Sequence, residues 1–396
     1  GVDVIDLVRG WPDEGPLLEV SMGVGQTHDE FPITAARDLP WVVDLSMLVE
    51  LATLGMLDVL EHIPRLYVAA TTKQAIETKI ESSSRFHKGG TLFSRDGQLG
   101  MQEQTEENWH RERAFLDSIC AAIDEYCEVV PAYGPPTLPA QMHTLKDILG
   151  EGEYATLLVC LEYGGGLLSL DARLRAMAGF LEIKGASPQM LLTNELISER
   201  LVPGEYSRAI VQMLMTRRSF VSIQAADLIA MMDQGETFAN LGINRLRIYL
   251  AEPSLTLDSA LPVITDFVCL MFLQVRCNLG VTLQLIEYCF EPMFRHPSCP
   301  DDFHQLAYAR ILIILSGVKI NSGAREAIRQ RLLVAMHRAE RPSKPVTLEA
   351  RISYAYAVPF WMVVAPSALT SISLNAKSPA QVMTESGHTE ESRKVD

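Results

Sequence analysis

The sequence predicts an α/β domain with a mostly parallel central sheet, followed by an all-helical domain. Short apolar runs alternate with amphipathic helical stretches through the first half of the chain, the pattern of strands connected by covering helices. Past about residue 189 the strand signals fade and helical periodicity continues alone. At 396 residues the chain is also too long for one simple core. The expected layout is a segment of unclear fold over 1–40, an α/β domain over 41–235 with an insertion near 82–130, a helical domain over 236–366, and a tail over 367–396 with the composition of a disordered segment.

Taken in order, Trp41–Val43 reads as a short strand running into a helix with Leu48, Leu51, Leu54, Leu57 and Leu60 on one side, stopped by Pro64. The pattern repeats as a strand over Leu66–Ala70, Thr72 as N-cap, and a helix to about Ile80. Residues 82–104 are polar and Gly-rich and read as a loop or insertion. A helix over about 106–127, a strand over Glu128–Ala132 and the linker YGPPTLP follow. GEYATLLVCLEYGG is an apolar helix; Leu167–Leu170 is a strand, with a short helix and another strand after it. Residues 238–365 read as about six helices punctuated by Pro253, Pro262, Pro292 and Pro300.

Charge narrows the function. Lys and Arg number 34 against 49 Asp and Glu, a formal net charge of -15. Such a balance repels nucleic acid on average and excludes a general phosphate-coating protein. The seven cysteines, several inside apolar runs, read as reduced thiols of a cytoplasmic protein. Residues 352–374 carry no charge, yet hold Pro359 and Pro366; a packed helix ending near Pro366 is expected, and a membrane span is not.

The informative residues are four acids. Asp44 follows the strand WVV and Asp171 follows LLSL, while Glu153 falls in the first turn of the helix after GEGE and Glu77 lies one turn or so into the helix after LYVAA. In an open α/β sheet, functional groups gather beyond the carboxyl ends of the strands. Clustered carboxylates repel one another, and a hard divalent cation relieves that repulsion through oxygen ligands. Each acid also has a structural role open to it: Asp44 and Asp171 as N-caps, Glu153 as a helix-dipole partner, Glu77 as a solvated helix residue.

VVDLSMLVELATLGMLDVL resembles the opening strand and helix of a PIN domain, and GEGEYATLLVCLEYGGGLLSLDARLRAMA resembles that family's later block, so that about 41–190 is similar to a PIN domain of the larger bacterial multi-module kind. The resemblance implies a PIN-like three-layer fold, with Asp44, Glu153 and Asp171 as catalytic, metal-holding acids and Glu77 as a looser match to a fourth metal ligand. It further implies a Mg²⁺- or Mn²⁺-dependent ribonuclease, or a member that has lost activity and serves as a binding module. Two departures stand out: the long segment 82–130, and Lys73 near the second acid, where it could contact phosphate or replace a metal by charge.

Other motifs carry less. Cys289, His296, Cys299 and His304 lack the tight cysteine pair of a zinc site. Gly164–Gly166 is followed by no phosphate-loop Lys, and no G-x-S-x-G elbow occurs. Residues 317–351 hold eight basic residues against three acidic ones, and Arg85, Lys88 and Arg95 lie in the insertion; both read as solvated faces or as RNA contacts. The expected function is metal-assisted hydrolysis of RNA phosphodiesters with the helical domain meeting protein partners; the rival is a degenerate PIN-like module in bacterial stress or phage defence.

Overall fold

The structure is a computed structural model that describes residues 4–9, 39–83, 90–95, 98–103, 105–216, 218, 221–253, 255–273, 279–317 and 320–340. The chain divides into two compact units, one of Gly1–Ile223 with Ser254–Thr256, the other of Gln224–Pro253 with Leu257–Asp396. The expectations for 352–374 and 367–396 lie outside the described residues.

The first unit is built on five parallel strands: β1 (Trp41–Val43), β2 (Leu66–Ala69), β5 (Glu128–Val130), β6 (Gly166–Leu168) and β7 (Gly185–Ala186), in the order β5-β2-β1-β6-β7. β1 is central and pairs with both neighbours in register, Val43 opposite Val68 and Leu168. A strand covered on both faces reads as a continuous apolar run rather than an alternating one, and Trp41, Val42 and Val43 are all buried. Trp41 and Val43 enter one core with Leu66, Val68 and Leu168; Val42 enters the other with Ala69, Val130 and Leu167. The result is the expected three-layer α/β architecture.

The helices of the first core include α2 (Leu45–Leu54), α4 (Glu106–Tyr126), α8 (Pro188–Ile197) and α9 (Pro203–Met215). The expected single helix through Leu60 is divided: Gly55, at φ 69°, closes α2 in the left-handed conformation, and Leu57–His62 forms a separate 3-10 turn. Leu60 still reaches the same core. The helix α3 (Ala70–Ser82) follows β2 directly, and Thr72 is buried in its first turn rather than capping it. Over the second core lie α6 (Glu151–Tyr163) and α7 (Ala172–Phe180), with Met142 of the short α5 (Ala140–Leu145).

Two segments differ from expectation. Within the supposed loop 82–104, β3 (Gly90–Arg95) and β4 (Gln98–Glu103) pair as an antiparallel hairpin. The sequence between them is Asp96-Gly97, a dipeptide favoured in two-residue hairpin connections. Residues 1–40 contain α1 (Val4–Arg9), whose Ile5 and Val8 are buried in the first core. Arg218 secures it, donating to Val8 O at 2.6 Å and to the buried carboxylate of Glu50 at 2.8 Å.

Gly164–Gly166 have packing reasons. Gly164 caps α6 at φ 61°, and a β carbon on Gly166 would collide with the Trp41 ring.

The second unit is helical among its described residues: α10 (Ala225–Asp233), α11 (Glu236–Leu250), α12 (Leu257–Leu273), α13 (Leu279–Phe294), α14 (Phe303–Ile314) and α15 (Ser322–Glu340). Two helices carry an internal proline, Pro262 and Pro292. Among the described residues no helix is long and apolar enough to cross a membrane.

Candidate functional site

Topology fixes where the site falls. From β1 the chain builds outward through β2 to β5, then returns to the other side of β1 for β6 and β7. The order therefore reverses between β1 and β6, and the crevice beyond the carboxyl ends of those two strands is the place where open α/β sheets bind ligands. Asp44 leaves β1 there, and Asp171 follows β6 at a distance of three residues.

Asp44 is 4% exposed. It caps α2 by accepting from the Met47 amide at 2.8 Å, and it receives two hydroxyls. Ser46 Oγ lies 2.8 Å from Oδ2 and 2.9 Å from Oδ1, and Ser169 Oγ donates to Oδ2 at 2.6 Å. The same hydroxyls accept amides from the β6 side: Ser46 from Leu170 N at 3.1 Å, Ser169 from Asp171 N at 3.0 Å. Asp171 caps α7 through Arg173 N at 2.8 Å. Burial pushes the Asp44 carboxyl up to about 6; the Ser169, Met47 and Ser46 bonds oppose that rise, and the nearby negative charge of Asp171 adds to it.

Glu153 reaches the same edge by a different route. α6 runs back to the start of β6, antiparallel to the strands, so its first turn lies at their carboxyl end. The Glu153 side chain folds back over its own helix start, into the space a β carbon on Gly150 would fill. Glu77 stands apart: exposed on α3, it lies 3.9 Å from Lys73 Nζ, which also bonds Asp124 on α4. Lys73 is thus engaged by two acids. Thr71 Oγ1, in the first turn of α3 beyond β2, is enclosed with no hydrogen-bond partner.

The structure therefore brings Asp44 and Asp171 together, places Glu153 at the same edge, and leaves Glu77 ion-paired on a helix flank. Among the described residues no group of three His, Cys, Asp or Glu is arranged to hold a metal ion. The donor chemistry at the edge nevertheless fits a hard cation, since carboxylates and hydroxyls supply only oxygen. Ser46 and Ser169 were not singled out from the sequence. The mirrored triplets Asp44-Leu45-Ser46 and Ser169-Leu170-Asp171 are the signal that could have found them.

Some of the remaining sequence candidates have structural roles. Cys289 is buried, and the His296 ring bridges Glu252 O at 3.1 Å and the Ser298 amide at 3.1 Å. Of the basic residues in 317–351, Arg331 and Arg338 bond the buried Glu287 of α13. The insertion leaves the far end of α3, remote along that helix from the carboxyl edge. The six described cysteines are free thiols, and burial pushes Cys127, Cys269 and Cys289 up to about 12.

A doubly covered parallel sheet with paired aspartates at its switch point is a PIN-like architecture. Residues 42–179 match the model of the PIN domain associated with the TPR-GreAB-C-PIN system. Residues 42–179 are thus similar to a PIN domain, and the chain joins that PIN-like domain to a further, mostly helical module. No curated protein and no solved structure gives a significant match.

Proposed function

We propose that the PIN domain is a divalent-cation-dependent ribonuclease that hydrolyses RNA phosphodiester bonds at the β1/β6 edge. The observation that carries this reading is the pairing of Asp44 and Asp171 across two adjacent parallel strands, locked together by Ser46 and Ser169. Asp44, Glu153 and Asp171 would hold Mg²⁺ or Mn²⁺, with Glu77 a fourth ligand in the same proposal. Bound there, the cation would supply Lewis acidity and offset charge on the phosphodiester. The chain's own share is positional. Two hydroxyls and one amide hold Asp44, and the α2 and α7 N-termini favour negative charge on the caps Asp44 and Asp171. The reading places the protein in the cytoplasm, with the helical unit available to protein partners.

A second reading has its own support: a PIN-like module without activity, acting in interaction or regulation in bacterial stress or phage defence. The Glu153 carboxylate folded onto Gly150 and the Lys73–Glu77 pair favour it, since no three acids are gathered to hold a metal among the described residues. Two measurements separate the readings. RNA cleavage with Mg²⁺ or Mn²⁺ should be lost in Asp44→Asn/Asp171→Asn protein; an unchanged rate would remove the first reading. Calorimetric titration should detect ion binding at millimolar concentration, and its absence would favour the second.

A further inference from the structure

We propose that the helical unit carries a binding surface for single-stranded RNA, built on a row of four arginines across α11, α13 and α15. Two acids one turn apart on α13 organise it. Glu287 is bonded by Arg331 at 2.9 Å and by Arg338, both from α15. Glu291 is bonded by Arg247 of α11 at 3.2 Å and by Arg295, just past the end of α13, at 2.6 Å. Arg295 also donates to the Arg338 carbonyl at 3.3 Å, which joins the two halves. Arg331 and Arg338 belong to the basic stretch of 317–351, whereas Arg247 and Arg295 join them only through folding.

Layering gives the row its sign. The carboxylates lie underneath, Glu287 8% and Glu291 14% exposed, while the four arginine side chains above them are between 28% and 44% exposed. One arginine neutralises one carboxylate, so four cations over two acids leave two positive charges facing water. Glu326, the acid nearer the start of α15, pairs with Arg329 and Gln330 instead of with the row. Each arginine meets its carboxylate through one terminal nitrogen. A guanidinium has five N–H donors, so donors remain for a ligand. A chain of net charge -15 repels a polyanion at a distance; over this row the local field has the opposite sign.

The ligand follows from what lies beside the charge. Arginine's planar fork suits phosphate as well as carboxylate, so charge alone fits RNA and an acidic peptide equally. Tyr288 decides between them. Its half-buried ring lies 5.0 Å from the Arg247 guanidinium carbon, directly after Glu287 in the chain. Bases stack on tyrosine rings and on guanidinium planes, and an aspartate- or glutamate-rich peptide has no flat apolar group to place there. Single strands expose their bases for such stacking, whereas a duplex keeps them paired. The inference concerns binding, and it stands whether or not the β1/β6 edge cleaves RNA.

The test is fluorescence anisotropy of a labelled, mixed-sequence single-stranded RNA with the full chain, in EDTA and over a series of salt concentrations. Arg295→Gln/Arg331→Gln removes the surplus charge but leaves each carboxylate one arginine, so neither buried acid is stranded. Its affinity should fall about tenfold. The slope of log Kd against log salt should flatten by about 1.4, two lost phosphate contacts at about 0.7 each. Arg295→Lys/Arg331→Lys should keep the native slope. Arg111→Gln/Lys146→Gln makes the same change in net charge at exposed sites of the first unit, and should bind like the native chain. Tyr288→Leu should weaken binding about fivefold or more at an unchanged slope. If circular dichroism shows Arg295→Gln/Arg331→Gln unfolded, Arg331→Gln alone carries the test, with a flattening of about 0.7. A native chain that fails to bind at low salt overturns the proposal, as does equal weakening in Arg111→Gln/Lys146→Gln. Displacement of the RNA by poly-glutamate at matched charge, or unchanged binding in Tyr288→Leu, would make the row a surface for acidic protein and also overturn it. Without divalent ions no cleavage is read, so failure here leaves the nuclease reading intact, and failure of that reading leaves this one intact.

Discussion

The hydroxyl of Ser169 donates to Asp44 Oδ2 at 2.6 Å while accepting the Asp171 amide at 3.0 Å. One oxygen thus ties the two strand-end acids together, and fixes them relative to each other before any ligand arrives. Ser46, in the first turn of α2, repeats the arrangement from the β1 side, donating to Asp44 and accepting Leu170 N. Both serines are buried, so neither hydroxyl has water to fall back on.

Ser169→Ala should therefore act on Asp44 before anything else. The Ser169 bond holds the Asp44 carboxyl down against the effect of burial, and its removal should raise that carboxyl above about 6. It also leaves the Asp171 amide without its acceptor, at a stability cost of about 1–2 kcal/mol. Ser169→Thr, which keeps the hydroxyl, should restore the titration. Carbon-13 NMR of the Asp44 carboxyl against pH, with urea melts of the same proteins, checks both. A titration unmoved in Ser169→Ala would contradict the network.

Asp44→Asn tests the burial itself. The folded carboxyl holds its proton more tightly than the ordinary 3.8 of the unfolded chain, up to about 6. The unfolded state therefore loses its proton first as pH rises. Stability falls between about pH 4 and 6 and stays reduced above that range. The full rise corresponds to at most about 3 kcal/mol. Asn carries no charge, so the variant should be more stable than the native chain by about 1–3 kcal/mol at pH 7.5. The advantage should shrink steadily toward pH 4. Denaturant melts of both proteins at half-unit steps from pH 4.5 to 7.5 measure this; a pH-independent difference would show that the carboxyl is not desolvated.

The sequence made the parallel sheet legible because β1, β2 and β6 are short apolar runs, each followed by a helical stretch, a signal that survives without an alignment. Asp44, Glu153 and Asp171 were legible for the same reason: their places relative to strands and helices could be counted. What could not be counted was side-chain direction. Glu153 reaches the expected edge but folds onto Gly150, and Glu77 turns to Lys73; rotamers and competing partners decided both. The 82–104 stretch misled by composition, since Gly and polar residues suit loops and hairpins alike, and the Asp96-Gly97 pair was the only local cue. α1 is six residues long, too short for periodicity to register, and is held by Arg218, more than two hundred positions away.

That long-range contact makes its own prediction. Glu50 and Arg218 side chains are 1% and 4% exposed, and three of the Arg218 bonds end on the Glu50 carboxylate. Removing one partner strands a buried charge. Glu50→Leu or Arg218→Met alone should cost about 3–5 kcal/mol, whereas the pair Glu50→Leu/Arg218→Met should cost clearly less than either single change. A double-mutant cycle in urea supplies the comparison. Additive losses would mean the two side chains are not coupled. Arg218→Met should also free α1, seen as faster amide exchange across residues 4–9, because the bond to Val8 O goes with it.

Two backbone positions give the last prediction. Glu182 and Glu199 have φ of 61° and 58°, the left-handed region, and both are exposed. Each closes a helix. Ile183 N bonds Ala178 O at 3.0 Å beyond α7, and Arg200 N bonds Glu195 O at 2.9 Å beyond α8. Helices often end on a left-handed residue, usually glycine, because a β carbon there meets the neighbouring carbonyl at a cost of roughly 1–2 kcal/mol. Glycine would remove that strain but would also loosen the unfolded chain, which takes back about 0.4–1 kcal/mol. The net expectation is a gain of about 0.5–1 kcal/mol for Glu182→Gly and for Glu199→Gly, with near-additive effects in the double variant, since the two turns share no hydrogen bond. Glu199→Ala keeps the β carbon and should gain nothing, which separates relief of backbone strain from loss of a surface charge. Equal stabilisation by alanine and glycine would assign the effect to charge.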